Sequence, residues 1–131
     1  MNSEEEEFCN SFTNVLTLYG IEVCKVWLCI PTFYKMTLEN KKLKFTHVSV
    51  ITTAESFEHS LESIENIERV DETRVSLQFH GDSELTFYCV SEHACDVIYD
   101  GLRVLLGRER RRKNYVRIVL DTCDSSDSDD S

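Results

Sequence analysis

Four histidines and six cysteines are the side chains of this sequence that could carry acid–base, nucleophilic or metal chemistry. Each histidine has acidic or hydroxyl neighbours, but no GxSxG, Walker or HExxH pattern groups them into a catalytic site. We therefore predict exposed or strand-face histidines, no enzymatic activity, no catalytic residue and no cofactor. The histidines are His47, His59, His80 and His93.

The cysteines show no tight, repeated spacing of a disulfide scaffold, and residues 1–7 are acidic where a secretory signal is basic. Cys89, His93 and Cys95 are close enough in sequence to suggest zinc, but structural zinc sites usually show two C-x2–4-C knuckles. Cys89 falls in a strand pattern and Cys95 in a helix pattern, which favours buried, reduced thiols and no metal site. Because no apolar run is long enough for a membrane span, we predict a soluble cytoplasmic protein.

The formal charge of −10 is concentrated at the two ends of the chain. Residues 4–7 are glutamates and residues 121–130 carry five aspartates, whereas residues 108–117 are strongly basic. The body between them is mildly acidic, which makes duplex DNA a poor partner because DNA binding requires many neutralised phosphates. The basic segment is either a solvated helix extension or a partner-binding arm, and it can pair with the acidic tail.

This charge pattern predicts four segments: an acidic disordered N-terminus (1–10), a folded domain (11–107), a basic arm (108–120) and an acidic disordered tail (121–131). In the tail, Ser126 has Asp127 beside it and Asp129 three residues on, the context that acidophilic kinases favour. Ser126 is therefore a candidate phosphorylation site, and its phosphate would strengthen the pairing of tail and arm. The candidate partner-binding residues of the arm are Arg108, Arg110, Arg111, Arg112 and Lys113.

The clearest local pattern is a hairpin. Residues 75–79 and 85–89 alternate between apolar and polar types on either side of a turn that contains Gly81 and Asp82. One amphipathic helix should follow, capped by Ser91 and ended by Gly107. Gly101 lies on its apolar face and predicts the close approach of a bulky group, such as a strand or an aromatic ring.

The first half of the chain is rich in β-formers. Residues 12–18 alternate, and further strands are predicted at 21–30 (interrupted by Pro31), 33–38 and 43–53. The period-three run of Leu61, Ile64, Ile67 and Val70 fits either a helical turn or the entry to a strand. A weaker edge strand is predicted at 115–120. Five to seven antiparallel strands and one C-terminal helix give an α+β, mainly β, single domain in which the helix closes an open barrel or sandwich.

This order of elements resembles pleckstrin-homology (PH) domains, which form a seven-stranded barrel or sandwich capped by a C-terminal helix. Residues 85–109, LTFYCVSEHACDVIYDGLRVLLGRE, look like the last strand and helix of the PH domain in the engulfment and cell motility (ELMO) scaffolds. The most specific piece is Asp100-Gly101-Leu102 followed by Leu105-Leu106-Gly107. The segment 64–70 also resembles a PH strand entry, and the similarity covers about residues 23–110.

The resemblance implies a protein-interaction or scaffold module in signalling, beside a guanine-nucleotide exchange factor for small GTPases in cytoskeletal processes. The alternative is weak attachment to anionic or phosphoinositide membranes. The sequence lacks the Lys…Arg-x-Arg cluster with which PH domains grip inositides, and no arginine precedes Arg69, so bidentate phosphate capture is not expected. The candidate anion or membrane contacts are Lys35, Lys41, Lys42 and Lys44.

Overall fold

The computed structural model describes the backbone of residues 2–48 and 56–130 and the side chains of residues up to 114, except that of Trp27. Seven strands and two helices make up the described chain, with a short 3-10 helix, η1, between the fourth and fifth strands. In chain order the elements are α1 (Ser3–Leu18), β1 (Ile21–Trp27), β2 (Ile30–Glu39), β3 (Lys42–His47), β4 (Phe57–Ser60), η1 (Leu61–Ser63), β5 (Ile64–Arg69), β6 (Arg74–Phe79), β7 (Glu84–Cys89) and α2 (Glu92–Asp130).

The strands form one antiparallel sheet in the order β4-β3-β2-β1-β7-β6-β5. The sheet curls so that its first strand approaches its opposite end: the ring of His59 on β4 stacks on Phe79 of β6, the second strand from the other edge, at 4.3 Å between ring centres. Inward-facing side chains from all parts of the sheet then share one core with both helices. The architecture is the predicted mainly β fold with a C-terminal helix.

The hairpin predicted around Gly81 is present as β6 and β7. Leu77 pairs with Leu85 and Val75 with Phe87, so the apolar positions of both strands face the core. Gly81 and Asp82 adopt positive φ angles of 90° and 69°, the conformation that a tight hairpin turn requires.

The early strands are confirmed with different boundaries. The predicted interruption at Pro31 is in fact a two-residue turn at Leu28 and Cys29, and Pro31 itself pairs with Val26 as part of β2. The period-three run contains both of the predicted possibilities. Leu61 begins the short helix η1, and Ile64–Arg69 is a strand. The predicted strand at 43–53 is β3, and its residues 49–53 lie outside the described residues.

The N-terminal predictions are wrong, because α1 occupies the positions assigned to a disordered segment (1–10) and a strand (12–18). Asn2 caps this helix by accepting a hydrogen bond from the Glu5 amide at 2.8 Å, and acidic side chains fill the first turn, where they favour the helix dipole. The buried residues Cys9, Phe12 and Leu16 recur at helical spacing, so one face of α1 joins the core.

Helix α2 begins as predicted, with the Ser91 hydroxyl accepting from the Ala94 amide at 3.0 Å. Its residues Ile98, Leu102 and Leu105 are buried against the sheet. The close approach predicted at Gly101 is made by the ring of Phe12 from α1, which occupies the space that a Cβ atom would need. Gly101 therefore allows the two helices to touch.

The prediction that α2 ends at Gly107 is wrong. Gly107 is helical, without the positive φ of a helix-terminating glycine, and the backbone continues as helix to Asp130 through the predicted arm and tail. Residues 115–120, predicted as an edge strand, and residues 121–130, predicted as a disordered tail, belong to this helix. The helix can continue past Gly107 because no proline follows that residue to stop it.

The buried thiols are largely where the sequence placed them. Cys89 and Cys95 are buried, and burial, together with the neighbouring Cys95, raises the pKa of Cys89 to about 12. Cys29 differs, because it is exposed in the β1–β2 turn. Within the described residues, no three His, Cys, Asp or Glu side chains are grouped so that they could hold a metal ion. Among those residues, no helix is both long and apolar enough to cross a membrane.

Candidate functional site

A groove of about 740 Å³ lies where the β2–β3 turn, η1 and α2 meet. This volume is within the range of pockets that bind ligands. Its floor is apolar and consists of Leu61, Ile64 and Leu106, each of which is at most 4% exposed. Its walls carry side chains of both charges, and we call it the α2 groove.

One wall is the β2–β3 turn. Asn40 and Lys41 have φ angles of 52° and 61°, the left-handed pair typical of a tight two-residue hairpin turn. The Lys41 carbonyl accepts a hydrogen bond from the Leu61 amide at 2.9 Å, which ties this turn to η1. The Ser60 hydroxyl in turn accepts from the Ser63 amide at 3.2 Å and caps η1. Backbone geometry thus fixes Leu61 at the floor.

The opposite wall is α2, and Arg110 attaches it to β5. The guanidinium donates to the carbonyl oxygens of Ile64 at 3.1 Å and Glu65 at 2.5 Å. The register of β5 against β6 shifts between Ile64 and Asn66, so this arginine satisfies carbonyls at an irregularity of the sheet edge. Arg110 consequently supports the fold at the groove.

Ion pairs join the two walls. Glu109 forms an ion pair with Lys41 at 3.7 Å and accepts a hydrogen bond from Arg112 at 3.4 Å, and its side chain is only 17% exposed. On the other side of the groove Lys113 contacts Glu62 at 2.6 Å. The hydrogen bond and charge of Lys113 lower the pKa of Glu62. The groove is therefore lined by paired charges of both signs.

The four lysines predicted as anion or membrane contacts do not form one cluster. Lys41 and Lys42 line the α2 groove, whereas Lys35 packs beside Gly20 and is not among the groove residues. Lys44 is also outside the groove and pairs with Glu39 at 3.0 Å, which raises the pKa of Lys44. Lys42 is paired as well, with Glu58 at 3.4 Å.

The predicted basic arm divides into two groups. Arg108 faces α1, donating to Asn10 at 2.9 Å and Thr13 at 3.4 Å, and Arg110 faces β5 as described above. Arg111, Arg112 and Lys113 are exposed. Ser126 lies on α2 beyond the residues whose side chains the structure describes, so its role as a phosphorylation site stays a prediction.

The sequence interpretation missed the acidic and apolar members of the groove. Glu62, Glu65 and Glu109 line the groove but have no predicted role in the sequence analysis. Leu61 appears there only as the first residue of the period-three run. A signal was available for Glu109, which is the single carboxylate within a run of basic residues. An isolated opposite charge in such a run often marks a local ion pair, here the i, i+3 pair with Arg112.

The four histidines lie at separate places in the fold. His59 stacks on Phe79, and burial together with the charge of Lys25 lowers the pKa of His59. His80 lies at the edge of the α2 groove, 3.6 Å from Glu65. His47 packs edge-on against Tyr34, and His93 is exposed in the first turn of α2.

Comparisons with known proteins give a likeness of fold. Neither a protein-family model nor a curated protein matches this sequence. A solved structure described as the PH domain from TgAPH is 11% identical, with a TM-score of 0.56 over 78% of this chain and 90% of that chain. Another, the C-terminal domain of an unknown protein from Leishmania infantum, is 15% identical, with a TM-score of 0.48 over 76% of this chain and 98% of that one.

The fold is therefore PH-like, as the sequence predicted, with seven antiparallel strands and a C-terminal helix. At 11% identity the likeness concerns the fold alone. The closer resemblance to the ELMO scaffolds stays a prediction from residues 85–109.

Proposed function

We propose that this chain is a non-enzymatic interaction module that holds a segment of a protein partner in the α2 groove. The observation that carries the proposal is the composition of the groove, which combines an apolar floor with charged walls. Protein interfaces are built in this way, with an apolar centre that supplies binding energy and a polar rim that supplies specificity. Leu61, Ile64 and Leu106 would receive an apolar side chain of the partner.

The state of the lysines supports a protein partner over an anionic membrane. Lys41, Lys42 and Lys44 each have a carboxylate within 4 Å: Glu109, Glu58 and Glu39 respectively. A phosphate or an anionic lipid would have to compete with these carboxylates, whereas a polypeptide carrying both charges could exchange pairs with them. The groove thus suits a segment of mixed charge with an apolar anchor.

The resemblance of residues 85–109 to the ELMO scaffolds extends the proposal to a partner class. It suggests a cytoplasmic scaffold that acts beside a guanine-nucleotide exchange factor in cytoskeletal signalling. The PH-like fold supports an interaction module, and the sequence resemblance alone supports the exchange factor.

The alternative is peripheral binding to anionic membranes, favoured by the exposure of the cations around the groove. The side chains of Lys41, Arg112 and Lys113 are 75%, 60% and 67% exposed, so they can approach a charged surface. Each such residue contributes about 1 kcal/mol of attraction near an anionic leaflet. This attraction is diffuse and screened by salt.

A capture experiment with matched charge reversals tests the proposal. The wild type, Lys41→Glu with Lys113→Glu, and Lys35→Glu as the control outside the groove are each used to capture proteins from cell extract. The proposal expects the same partner with the wild type and the control, and its loss with the groove variant. The captured fractions are searched for exchange factors by mass spectrometry. Capture that survives the groove reversal would place recognition elsewhere.

Sedimentation with phosphatidylcholine vesicles, with and without phosphatidylserine, separates the alternative. If the groove binds protein, the chain should sediment only weakly with the anionic vesicles, and this binding should disappear at high salt. The groove variant should bind the vesicles only slightly less than the wild type, as expected from its lower positive charge. Strong, salt-resistant sedimentation that requires Lys41 and Lys113 would favour the membrane function instead.

A further inference from the structure

Helix α1 presents a row of side chains that the core of the domain does not use. At the end of the helix, Val15, Leu18 and the C-cap residue Tyr19 are 40%, 71% and 70% exposed. Their spacing of three and four residues places them side by side on one face of the helix. Adjacent apolar side chains in contact with water mark interaction surfaces, so this face calls for a partner outside the domain.

The same face continues toward the start of the helix and becomes acidic. The helical spacing leads back from Val15 through Phe8 to Glu7 and Glu4, of which Phe8 is half-buried and the two glutamates are exposed. We call residues 4, 7, 8, 15, 18 and 19 the α1 stripe. From residue 4 to residue 18 it measures about 21 Å at 1.5 Å per residue, with carboxylates at one end and apolar side chains at the other.

The acidic end of the stripe is available for binding. In the part of the chain that the structure describes, no hydrogen bond or ion pair engages the side chain of Glu4 or Glu7. Residues 3–18 themselves contain four glutamates and no lysine or arginine. Carboxylates in the first turn favour the helix dipole, but this effect falls off within one turn, and Glu7 lies beyond the first turn. The dipole therefore accounts for only part of the acidic end.

From this order of charged and apolar surface we infer that the α1 stripe binds a basic amphipathic helix of a protein partner. Lysine or arginine side chains of that helix would face Glu4 and Glu7, and its apolar side chains would face Val15, Leu18 and Tyr19. A straight stripe on a helix suits a second helix, because ridges of side chains on one pack into grooves on the other. The apolar contacts would supply binding energy, and the complementary charges would fix the register. No residue of the stripe lines the α2 groove, so this surface is separate from it.

Other occupants fit the stripe less well. Its carboxylates would repel anionic lipid headgroups and the phosphates of nucleic acids. The α1 helix of a second copy carries no basic residue, so two stripes packed together would place carboxylates against carboxylates or against apolar side chains. A basic amphipathic helix is the occupant that complements both ends of the stripe.

A peptide library tests the inference without a known partner. The probes are displayed, alanine-rich helical peptides of about 15 residues, a length that spans the stripe. Each position on one face of the peptide is lysine, glutamate, leucine or serine, so that every order of charge and apolar surface is sampled. Peptides selected on the wild-type chain are labelled, and their affinities for the wild type and the variants below are measured by fluorescence anisotropy. The inference expects enriched peptides with lysine at one end and leucine at the other.

Two charge reversals test the acidic end. Glu4→Lys with Glu7→Lys reverses the stripe, whereas Glu5→Lys with Glu6→Lys makes the same change of net charge at exposed positions off the stripe. The enriched peptides should lose about tenfold or more in affinity with the first variant and less than about twofold with the second, because only the first places like charges in contact. Circular dichroism confirms that each variant is folded. Equal losses with both variants would show diffuse attraction to acidic residues and would overturn the inference.

Two further variants test the apolar end and separate the stripe from the groove. Leu18→Ser with Tyr19→Ser should weaken the same peptides about tenfold or more, since it removes the apolar contacts. Lys41→Glu with Lys113→Glu, the groove variant, should bind them as the wild type does. Binding that is lost only with the groove variant would assign the peptides to the α2 groove, and would overturn this inference while supporting the proposed function. Enrichment of acidic peptides, or of none, would also overturn it.

Discussion

Replacing Gly101 with alanine should destabilise the protein, although the same change at most interior helical positions is stabilising. The added Cβ atom would overlap the Phe12 ring, three of whose carbons occupy its place. Phe12 is buried, and α1 is held on α2 by this contact and by the hydrogen bonds of Arg108. Relief of the overlap therefore requires α1 to move away from α2 or the ring to leave its site.

The magnitude follows from two opposing effects. Alanine gains about 1 kcal/mol over glycine in a helix interior. Overpacking a filled site costs roughly 1 to 3 kcal/mol, and expelling the Phe12 ring would cost more, about 3 to 5 kcal/mol for the loss of a buried phenylalanine. Subtracting the gain leaves a net loss of up to about 2 kcal/mol if the helices shift apart and about 2 to 4 kcal/mol if the ring is expelled, and each kcal/mol lowers the melting temperature by roughly 3 to 4 °C for a domain of this size.

Gly107 provides a matched control in the same helix. A Cβ atom there would meet only the flexible end of Arg111, at 3.5 Å. Gly107→Ala should therefore stabilise the protein by up to about 1 kcal/mol. Urea denaturation of both variants and the wild type measures the free energies of unfolding, and the two substitutions should shift the midpoint in opposite directions.

A double-mutant cycle with Phe12→Ala identifies the cause. Without the ring, the space beside Gly101 is open, so Gly101→Ala should change from destabilising to neutral or stabilising. Two results would refute the reasoning: a Gly101→Ala variant as stable as Gly107→Ala in the wild-type background, or an unchanged loss of stability in the Phe12→Ala background.

Two further predictions concern the groove and the sheet. Arg110→Ala removes the guanidinium donor from the carbonyls of Ile64 and Glu65, and should lower the free energy of unfolding by about 0.5 to 1.5 kcal/mol, the net value of a typical hydrogen bond. Arg111→Ala, which removes no described hydrogen bond, should change it by less than about 0.5 kcal/mol; equal urea midpoints would contradict this. Burial and Lys25 lower the pKa of His59 below its ordinary 6.5, so its protonation favours the unfolded chain. Stability should fall as pH drops from about 7 to 5.5, and His59→Gln should flatten this fall in urea titrations; identical pH profiles would exclude His59 as its source.

The elements predicted correctly are those whose determinants are local. The β6–β7 hairpin is written in two period-two runs around Gly81, and the start of α2 depends on Ser91 and the turn that follows it. A mainly β domain with a C-terminal helix could be predicted from these local patterns, whereas the PH-like fold was predicted from the resemblance of the element order and of residues 85–109 to PH domains.

Helix α1 could not be predicted in the same way. Residues 12–18 alternate as a strand would, and only when Cys9 is included does the helical spacing of Cys9, Phe12 and Leu16 become clear. The apolar face of this helix is buried by a partner far along the chain, since the missing side chain of Gly101 leaves room for Phe12. Tertiary packing of this kind overrides a local period.

Only the basic side chains of the candidate groove could be predicted from the sequence, for a similar reason. The basic side chains were identified by type, but their carboxylates were not, because Lys113 and Glu62 are 51 residues apart and meet only in the folded chain. A count of lysines and arginines therefore predicted free cations where the structure has ion pairs. The apolar floor was missed because Leu61 and Leu106 come from elements whose proximity no local pattern indicates.

The contact between α1 and α2 also has a consequence for biosynthesis. Arg108 and Asn10 are 98 residues apart, so α1 leaves the ribosome long before the helix that covers its apolar face exists. During that time Cys9, Phe12 and Leu16 have no α2 to bury them, and the nearest charges to this apolar face in the sequence are the glutamates of residues 4–7. The sheet and α1 can share one core with α2 only when α2 has been synthesised, which makes the emergence of α2 from the ribosome the step that allows this core to form.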